Sequence, residues 1–62
     1  MLNIKNIKPN DLYKNGKDEY VVIGIWYEPV IKMKNLTTGE TIMGGYSGLM
    51  WKNFKLEAKG GD

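Results

Sequence analysis

Few side chains in this 62-residue sequence could exchange protons with a substrate: seven carboxylates, nine lysines and four tyrosines. Cysteine and histidine are absent, which excludes thiolate nucleophiles, disulfide bonds, zinc fingers and imidazole bases. Asp18 and Glu19 border a predicted hairpin turn and Glu40 follows another, where acidic side chains usually face solvent. Because no nucleophile, base and orienting group stand together, we expect a protein that is not an enzyme and holds no metal or cofactor.

The aromatic residues are more informative than the carboxylates. Together with Met43 and Met50, they exceed what the core of so short a chain can bury, although at least one tryptophan is expected in the core. Tryptophan, tyrosine and methionine are enriched at binding hot spots. Glu28, between Tyr27 and Pro29, fits the rim of such a surface better than a general base. The predicted partner-binding residues are Trp26, Tyr27, Glu28, Tyr46, Met50 and Trp51.

Two other ligands fit the composition less well. Nucleic acid would stack on the aromatic residues and meet Lys32, Lys34, Lys52 and Lys55 at its phosphates, but the net charge is only +2 and arginine is absent. An anionic nucleotide could bind the glycine-rich stretch 44–48, between subunits of an oligomer that sequesters it. That stretch lacks the lysine of a phosphate-binding loop, so the end of a strand at a tight corner is the preferred interpretation.

Residues 19–26 predict the longest and most central strand, with Gly24 at a bulge or sharp bend. Strict alternation would place apolar side chains on both faces of this strand, whereas a half-solvated sheet has one polar face. A strongly bent sheet or another molecule must then cover the second face. We expect residues 2–7 or a second copy of the chain to do so, which makes the following residues candidates for self-association: Val21, Ile23 and Ile25.

Turn signals divide the rest of the chain into short strands. Pro9-Asn10 predicts a type II turn, and Asn15-Gly16 predicts a hairpin with positive φ at both positions. Residues 30–34 and 41–43 predict a second hairpin, closed by Gly39 in the left-handed region. Ser47 is expected to cap a single helical turn over residues 48–52, before a last short strand at residues 54–56. These elements predict an all-β, five-stranded small barrel.

The motifs Asp11-Leu12-Tyr13-Lys14 and Glu19-Tyr20-Val21-Val22-Ile23-Gly24 resemble small SH3-like domains of bacteria and their phages. The resemblance continues through Asn35-Leu36, Thr38-Gly39-Glu40, Trp51 and Phe54. It implies one SH3-like domain over residues 1–58, with residues 59–62 as a flexible tail. It also implies a phage or prophage accessory protein that binds and modulates, or inhibits, a host protein such as a defence factor. No signal peptide or membrane-spanning stretch is apparent, so a cytoplasmic location in the bacterial or host cell is expected.

Overall fold

The chain forms five short strands and one turn of 3₁₀-helix, and it contains no longer helix among the residues that are described. The structure is a computed structural model and describes residue 2, residues 5–26 and residues 29–60. The all-β prediction is confirmed, and so is a single helical turn before the last strand. The elements are β1 Leu12–Asn15, β2 Asp18–Trp26, β3 Val30–Asn35, β4 Thr41–Gly45, the 3₁₀ turn Leu49–Trp51 and β5 Lys55–Ala58.

All five strands belong to one antiparallel sheet, in the order β4-β3-β2-β1-β5. β2 is the longest strand, with nine residues, and lies at the centre of the sheet, as its unbroken apolar sequence predicts. The sheet is open, because β4 and β5 are its two edges and do not pair with each other in the part of the chain that is described. The finer prediction of a closed barrel is therefore not confirmed.

A β-bulge in β2 changes which side chains face the core. Val22 pairs with Met33 of β3, but Gly24 pairs with Lys32, so Ile23 is the extra residue. Before the bulge the even-numbered residue Val22 faces inward, whereas after it the odd-numbered Ile25 packs against the core. The strict alternation expected for residues 19–26 is therefore wrong. The bulge also explains why the strand looks apolar on both predicted faces. Before Ile23 the core-facing residues belong to one predicted face, and after Ile23 they belong to the other.

The hydrophobic core lies on one side of the sheet. Trp51 and Phe54 pack edge to face, with ring centroids 5.2 Å apart, and Tyr20 lies against Phe54 at 4.9 Å. Aromatic packing therefore contributes stability that a disulfide or a metal contributes in many domains of this size. The buried apolar residues are Leu2, Ile7, Tyr13, Val22, Ile31, Met33, Trp51 and Phe54.

A buried carboxylate joins the start of the chain to its end. Asp11 is completely buried, and its Oδ2 accepts hydrogen bonds from the Lys8 amide at 3.0 Å and from Lys59 Nζ at 2.7 Å. Its Oδ1 accepts one from the Gly60 amide at 2.7 Å, and Lys59 also donates to the Asn6 carbonyl. Two of the four residues expected to form a tail therefore make specific contacts, while residues 61 and 62 lie outside the described part of the chain.

The predicted turns lie where the sequence places them, except that the loop of the first hairpin is shifted by one residue. Asn10 has φ of 75° and Gly39 has φ of 81°, as expected for both positions. In the first hairpin Asn15 pairs with Asp18, so the loop is Gly16-Lys17 rather than Asn15-Gly16. Only Gly16 in that loop has a positive φ, 64°, which is the pattern of a type II′ turn. Glycine takes the first central position because it adopts this φ without strain.

The 3₁₀ turn begins at Leu49, one residue later than predicted. Gly48 is the N-cap and no side chain caps the turn, so the prediction that Ser47 does so is wrong. The turn is held instead by Trp51, whose Nε1 donates to the Gly45 carbonyl at 2.8 Å. The Gly48 amide donates to the same carbonyl at 2.9 Å. Both bonds fix the 3₁₀ turn against the end of β4.

Candidate functional site

The side of the sheet that faces away from the core, here called the outer face, carries an exposed tryptophan. Directly opposite residues on neighbouring strands share a face. Ile31 and Met33 of β3 face the core, so their neighbours Val30, Lys32 and Lys34 point outward. Following the pairs from β3 across the sheet gives these residues of the outer face: Val21, Gly24, Trp26, Val30, Lys32, Lys34, Thr41, Met43 and Gly45.

The indole of Trp26 lies over Gly24 on this outer face. A Cβ atom at position 24 would stand 2.7 Å from Cζ3 of the Trp26 ring, so only glycine leaves room for it. The ring nevertheless remains 51% exposed. Aromatic side chains cover strand glycines in this way in other sheets, and contact with the backbone of Gly24 limits the positions that the ring can take. Trp26 is therefore exposed and positioned, which are the two properties of a binding anchor.

Apolar and basic side chains surround Trp26. Its partner across β3 is Val30, and beyond Val30 lies Gly45, where an added Cβ would meet open space. Lys32 pairs with Gly24 on one side and with Met43 on the other, and Met43 is 59% exposed. Among the described residues neither Lys32 nor Lys34 forms an ion pair with a carboxylate. This part of the outer face thus combines exposed apolar side chains with lysines.

Trp51 does not belong to a surface site. It is 0% exposed, at the centre of the core, and its only polar atom is bonded to the Gly45 carbonyl. The prediction that Trp51 contacts a partner is therefore wrong, and the expectation that at least one tryptophan is buried is confirmed. The physical reason is local: the 3₁₀ turn directs residue 51 under the sheet, where the end of β4 offers an acceptor for its N–H.

Met50 and Tyr46 lie on the other side of the sheet from Trp26. The Met50 thioether packs against Gly44, whose neighbour across the ladder is the buried Ile31. Met50 is 44% exposed, and Tyr46 is half-buried against the core. The predicted single aromatic patch is therefore divided between two faces. The binding of an anionic nucleotide at the glycine-rich stretch 44–48 stays a prediction.

The other predicted contact residues have separate positions. Tyr27 and Glu28 lie outside the described residues. Val21 and Ile23 are half-buried and exposed respectively, whereas Ile25 packs against the core. The bulge therefore prevents Val21, Ile23 and Ile25 from forming the one apolar face that was expected. Self-association through the exposed Ile23 stays a prediction.

A second surface feature lies at the opposite end of the sheet, between β1 and β5. A shallow groove of about 610 Å³ is bordered by Lys14, Lys55 and Glu57 together with polar residues of the first hairpin. A hydrogen bond with Glu19 raises the pKa of the Glu57 carboxyl, desolvation and the Glu19 charge add to this, and Lys14 opposes it. Within the described residues no three acidic side chains are arranged to hold a metal ion.

Sequence reasoning did not place Val30 and Met43 at the site, although Met43 was noted among the apolar residues. The signal was present in β3, where basic and apolar residues alternate and Lys32 and Lys34 must share a face. Extending that face to β2 requires the register across the bulge at Ile23. That register depends on pairing between strands and cannot be predicted from the sequence of either strand alone.

Comparison with known proteins adds no relative. No protein-family model, no curated protein and no solved structure matches the chain. Among the described residues no helix is long and apolar enough to cross a membrane. A functional assignment must therefore come from the outer face itself.

Proposed function

We propose that this protein is a non-enzymatic binding module that docks on a partner protein through its outer face. The observation that carries the proposal is Trp26, which is half-exposed and yet held over Gly24. A tryptophan in the core would raise stability, and a mobile surface tryptophan would be an aggregation liability. An immobilised exposed tryptophan loses little conformational entropy on binding, which favours its use as an anchor.

The surroundings of Trp26 support a protein partner. Val30 and Met43 extend the apolar surface towards the edge of the sheet, and the open space over Gly45 admits a partner side chain beside the indole. Lys32 and Lys34 supply a charged border. An apolar centre with a polar rim is the usual anatomy of a protein interface. The module would act by occupying a surface of its partner.

We propose that the open sheet belongs to the SH3-like class of small barrels. The support is the strand order β4-β3-β2-β1-β5, in which the last strand pairs with the first, and the 3₁₀ turn that precedes β5. The strong bend that such a barrel requires is consistent with the bulge at Ile23.

A phage or prophage accessory protein that modulates a host protein, including a defence factor, remains our proposal for the biological setting. It is supported by the resemblance in sequence pattern. Cytoplasmic action follows from the same setting.

Capture from a nuclease-treated bacterial lysate tests the proposal. The immobilised wild-type protein should retain a protein from the lysate. That protein is then purified so that its affinity can be measured. Trp26→Ala should weaken that affinity by about 2 kcal/mol or more, because truncation removes the anchor. Leu49→Ala is the matched control, since Leu49 is 84% exposed but lies on the 3₁₀ turn. Equal binding by wild type and Trp26→Ala would contradict the proposal.

Nucleic acid is the second candidate, favoured by one observation. Lys32 and Lys34 lie on the same face as Trp26, so a base could stack on the indole while phosphates meet the lysines. Titration of a labelled single-stranded oligonucleotide at two salt concentrations distinguishes the candidates. Binding that falls steeply with salt and is weakened by Lys32→Ala and Lys34→Ala indicates nucleic acid. Binding to the captured protein that depends only mildly on salt indicates a protein partner.

A further inference from the structure

The two edges of the sheet differ in how they are protected. β5 carries Lys55 and Glu57, and edge charges of this kind discourage pairing with another strand. β4 has the sequence Thr-Ile-Met-Gly-Gly, which contains no charge and no proline, and its register with β3 is free of bulges. Edge strands are normally protected by at least one of these devices. The Gly45 carbonyl at the end of β4 already accepts hydrogen bonds from Gly48 and Trp51, so the part of this edge that is open to strand addition is residues 41–43.

The backbone of β4 presents hydrogen-bonding groups at that edge. The Glu40 carbonyl accepts from the Asn35 amide, and the Tyr46 amide donates to the Pro29 carbonyl. Because bonded and non-bonded pairs alternate in an antiparallel ladder, residues 42 and 44 direct their N–H groups to β3. Thr41 and Met43 then direct theirs to the open edge. A strand laid along β4 would pair with these two residues.

Side chains beside the edge indicate what that strand should carry. On the outer face, Thr41 and Gly45 are small, and Lys32 and Lys34 stand one strand further in. An added strand would lie about 10 Å from β3, a distance that a lysine side chain and a carboxylate together can cross. On the inner face the edge is lined by Ile42 and the exposed part of Met50. The edge therefore suits a segment that is acidic on one face and apolar on the other.

We propose that β4 accepts an extended acidic-apolar segment of the partner protein as a further strand of the sheet. The inference rests on the proposed function and specifies how the partner engages the module. A second copy of this chain fits the edge less well. Its own β4 contains no carboxylate, so pairing two copies would leave Lys32 and Lys34 without a partner charge on the added strand.

A synthetic peptide tests this inference without knowledge of the partner. The probe is a blocked peptide of about eight residues in which glutamate and valine alternate, the length of a typical strand. A peptide of alternating glutamine and valine is the charge control. The glutamate peptide should bind, should slow amide exchange at Thr41 and Met43 by about tenfold or more, and should leave the amides of β5 unchanged. The glutamine peptide should bind at least several-fold more weakly.

Two variants at one position separate the backbone from the side chain. Met43→Pro removes the N–H that faces the edge without removing a bond to β3, and proline is tolerated at sheet edges. It should weaken peptide binding by about tenfold or more. Met43→Thr keeps the N–H, favours a strand and loses only the methionine side chain, so it measures the side-chain contribution, and Met43→Pro should bind the peptide about tenfold or more weakly than Met43→Thr. Far-ultraviolet circular dichroism verifies that both variants are folded.

The outcomes that overturn the inference differ from those that overturn the proposed function. Absence of glutamate-peptide binding, or equal binding by Met43→Pro, refutes strand addition, while loss of the captured partner in Trp26→Ala would still support the binding module. A wild-type protein of twice the monomer mass in solution, returning to monomer in Met43→Pro, assigns the edge to a second copy and also refutes the inference. Binding of a single-stranded oligonucleotide that displaces the peptide assigns the site to nucleic acid and refutes it as well.

Discussion

Asp11 and Trp26 belong to two regions of the molecule that treat their polar and apolar groups in opposite ways. Around Asp11 a full charge is buried, and both carboxylate oxygens accept hydrogen bonds. Around Trp26 large apolar groups remain exposed, and two lysines have no carboxylate partner among the described residues. No described buried side-chain nitrogen or oxygen lacks a hydrogen bond. Among the described residues, Trp26 and Met43 are exposed apolar side chains on the outer face, close to these two lysines.

This contrast teaches where stability and binding reside in a domain with no cross-links. A chain of this length buries only about 60% of its unfolded surface, so each core interaction counts. The connection between Asp11, Lys59 and Gly60 ties the end of the chain to the turn before β1. It joins distant parts of the chain, as a disulfide bond does in other small domains. Substitutions near Asp11 should therefore change stability, whereas substitutions on the outer face should change binding.

The largest effect is expected from Asp11→Asn. The amide keeps the size of the carboxylate but loses the charge and presents N–H groups to the donors Lys8, Lys59 and Gly60. We expect the free energy of unfolding to fall by about 3 kcal/mol, which is a large part of the stability of so small a domain. Urea denaturation followed by circular dichroism measures it. Asp18→Asn, at the first hairpin, is the control and should change stability by less than about 0.5 kcal/mol. Similar stabilities for the two variants would show that the Asp11 connection is not important.

Sequence reasoning found the strands but not the connection at Asp11. The strands follow from local signals: the apolar stretch of β2, the turn glycines Gly16 and Gly39, and the alternation in β3. Asp11 reads as the polar start of a strand, because the groups that make its burial favourable, Lys59 and Gly60, lie 48 and 49 residues further along the chain. A pairing over that distance leaves no trace in local patterns.

The candidate site was predicted in part for the same reason. Trp26 was identified from residue type alone, since a small core cannot bury every aromatic residue. Trp51 was placed on the same surface because composition cannot distinguish two tryptophans. Their fates are decided by the bulge at Ile23 and by the 3₁₀ turn, which direct one ring outward and the other into the core. Both are features of tertiary packing.

The same substitution at the two tryptophans sharpens this comparison. Trp51→Phe removes the hydrogen bond to the Gly45 carbonyl and leaves a cavity in the core, and we expect it to destabilise the protein by about 2 kcal/mol. Trp26→Phe should change stability by less than about 0.5 kcal/mol, because the ring is half-exposed and makes no such bond. Thermal denaturation measures both. Acrylamide should quench the fluorescence of Trp51→Phe, in which Trp26 remains, and quench Trp26→Phe much less. Equal quenching of the two variants would contradict the assignment of one buried and one exposed ring.

Acid pH should weaken the Asp11 region and leave the outer face unchanged, with a smaller effect than either substitution. Burial alone would raise the pKa of Asp11, but hydrogen bonds from Lys59, Gly60 and Lys8 and the charge of Lys59 outweigh it, so the pKa is lowered overall. The net effect is modest because burial cancels part of the hydrogen-bond contribution. A carboxylate with a lowered folded pKa contributes stability that is complete above its unfolded pKa, about 3.9 for aspartate. That contribution is lost as the pH falls through the folded pKa.

The pKa shift of Glu57 has the opposite sign to that of Asp11. Glu57 must therefore be replaced before the loss of stability that comes from Asp11 can be measured. The pKa of its carboxyl is raised by the hydrogen bond with Glu19, so its contribution is present at low pH and is lost as the pH rises. The measurement is the free energy of unfolding of Glu57→Gln between about pH 6 and about pH 2, together with the titration of the Asp11 carboxyl carbon by NMR. Stability should be constant at first and should decline below about pH 4, while the Asp11 signal titrates below its ordinary value. An Asp11 carboxyl that titrates above that value would mean that burial dominates its hydrogen bonds. The connection between Asp11 and Lys59 would then weaken the fold at neutral pH instead of supporting it.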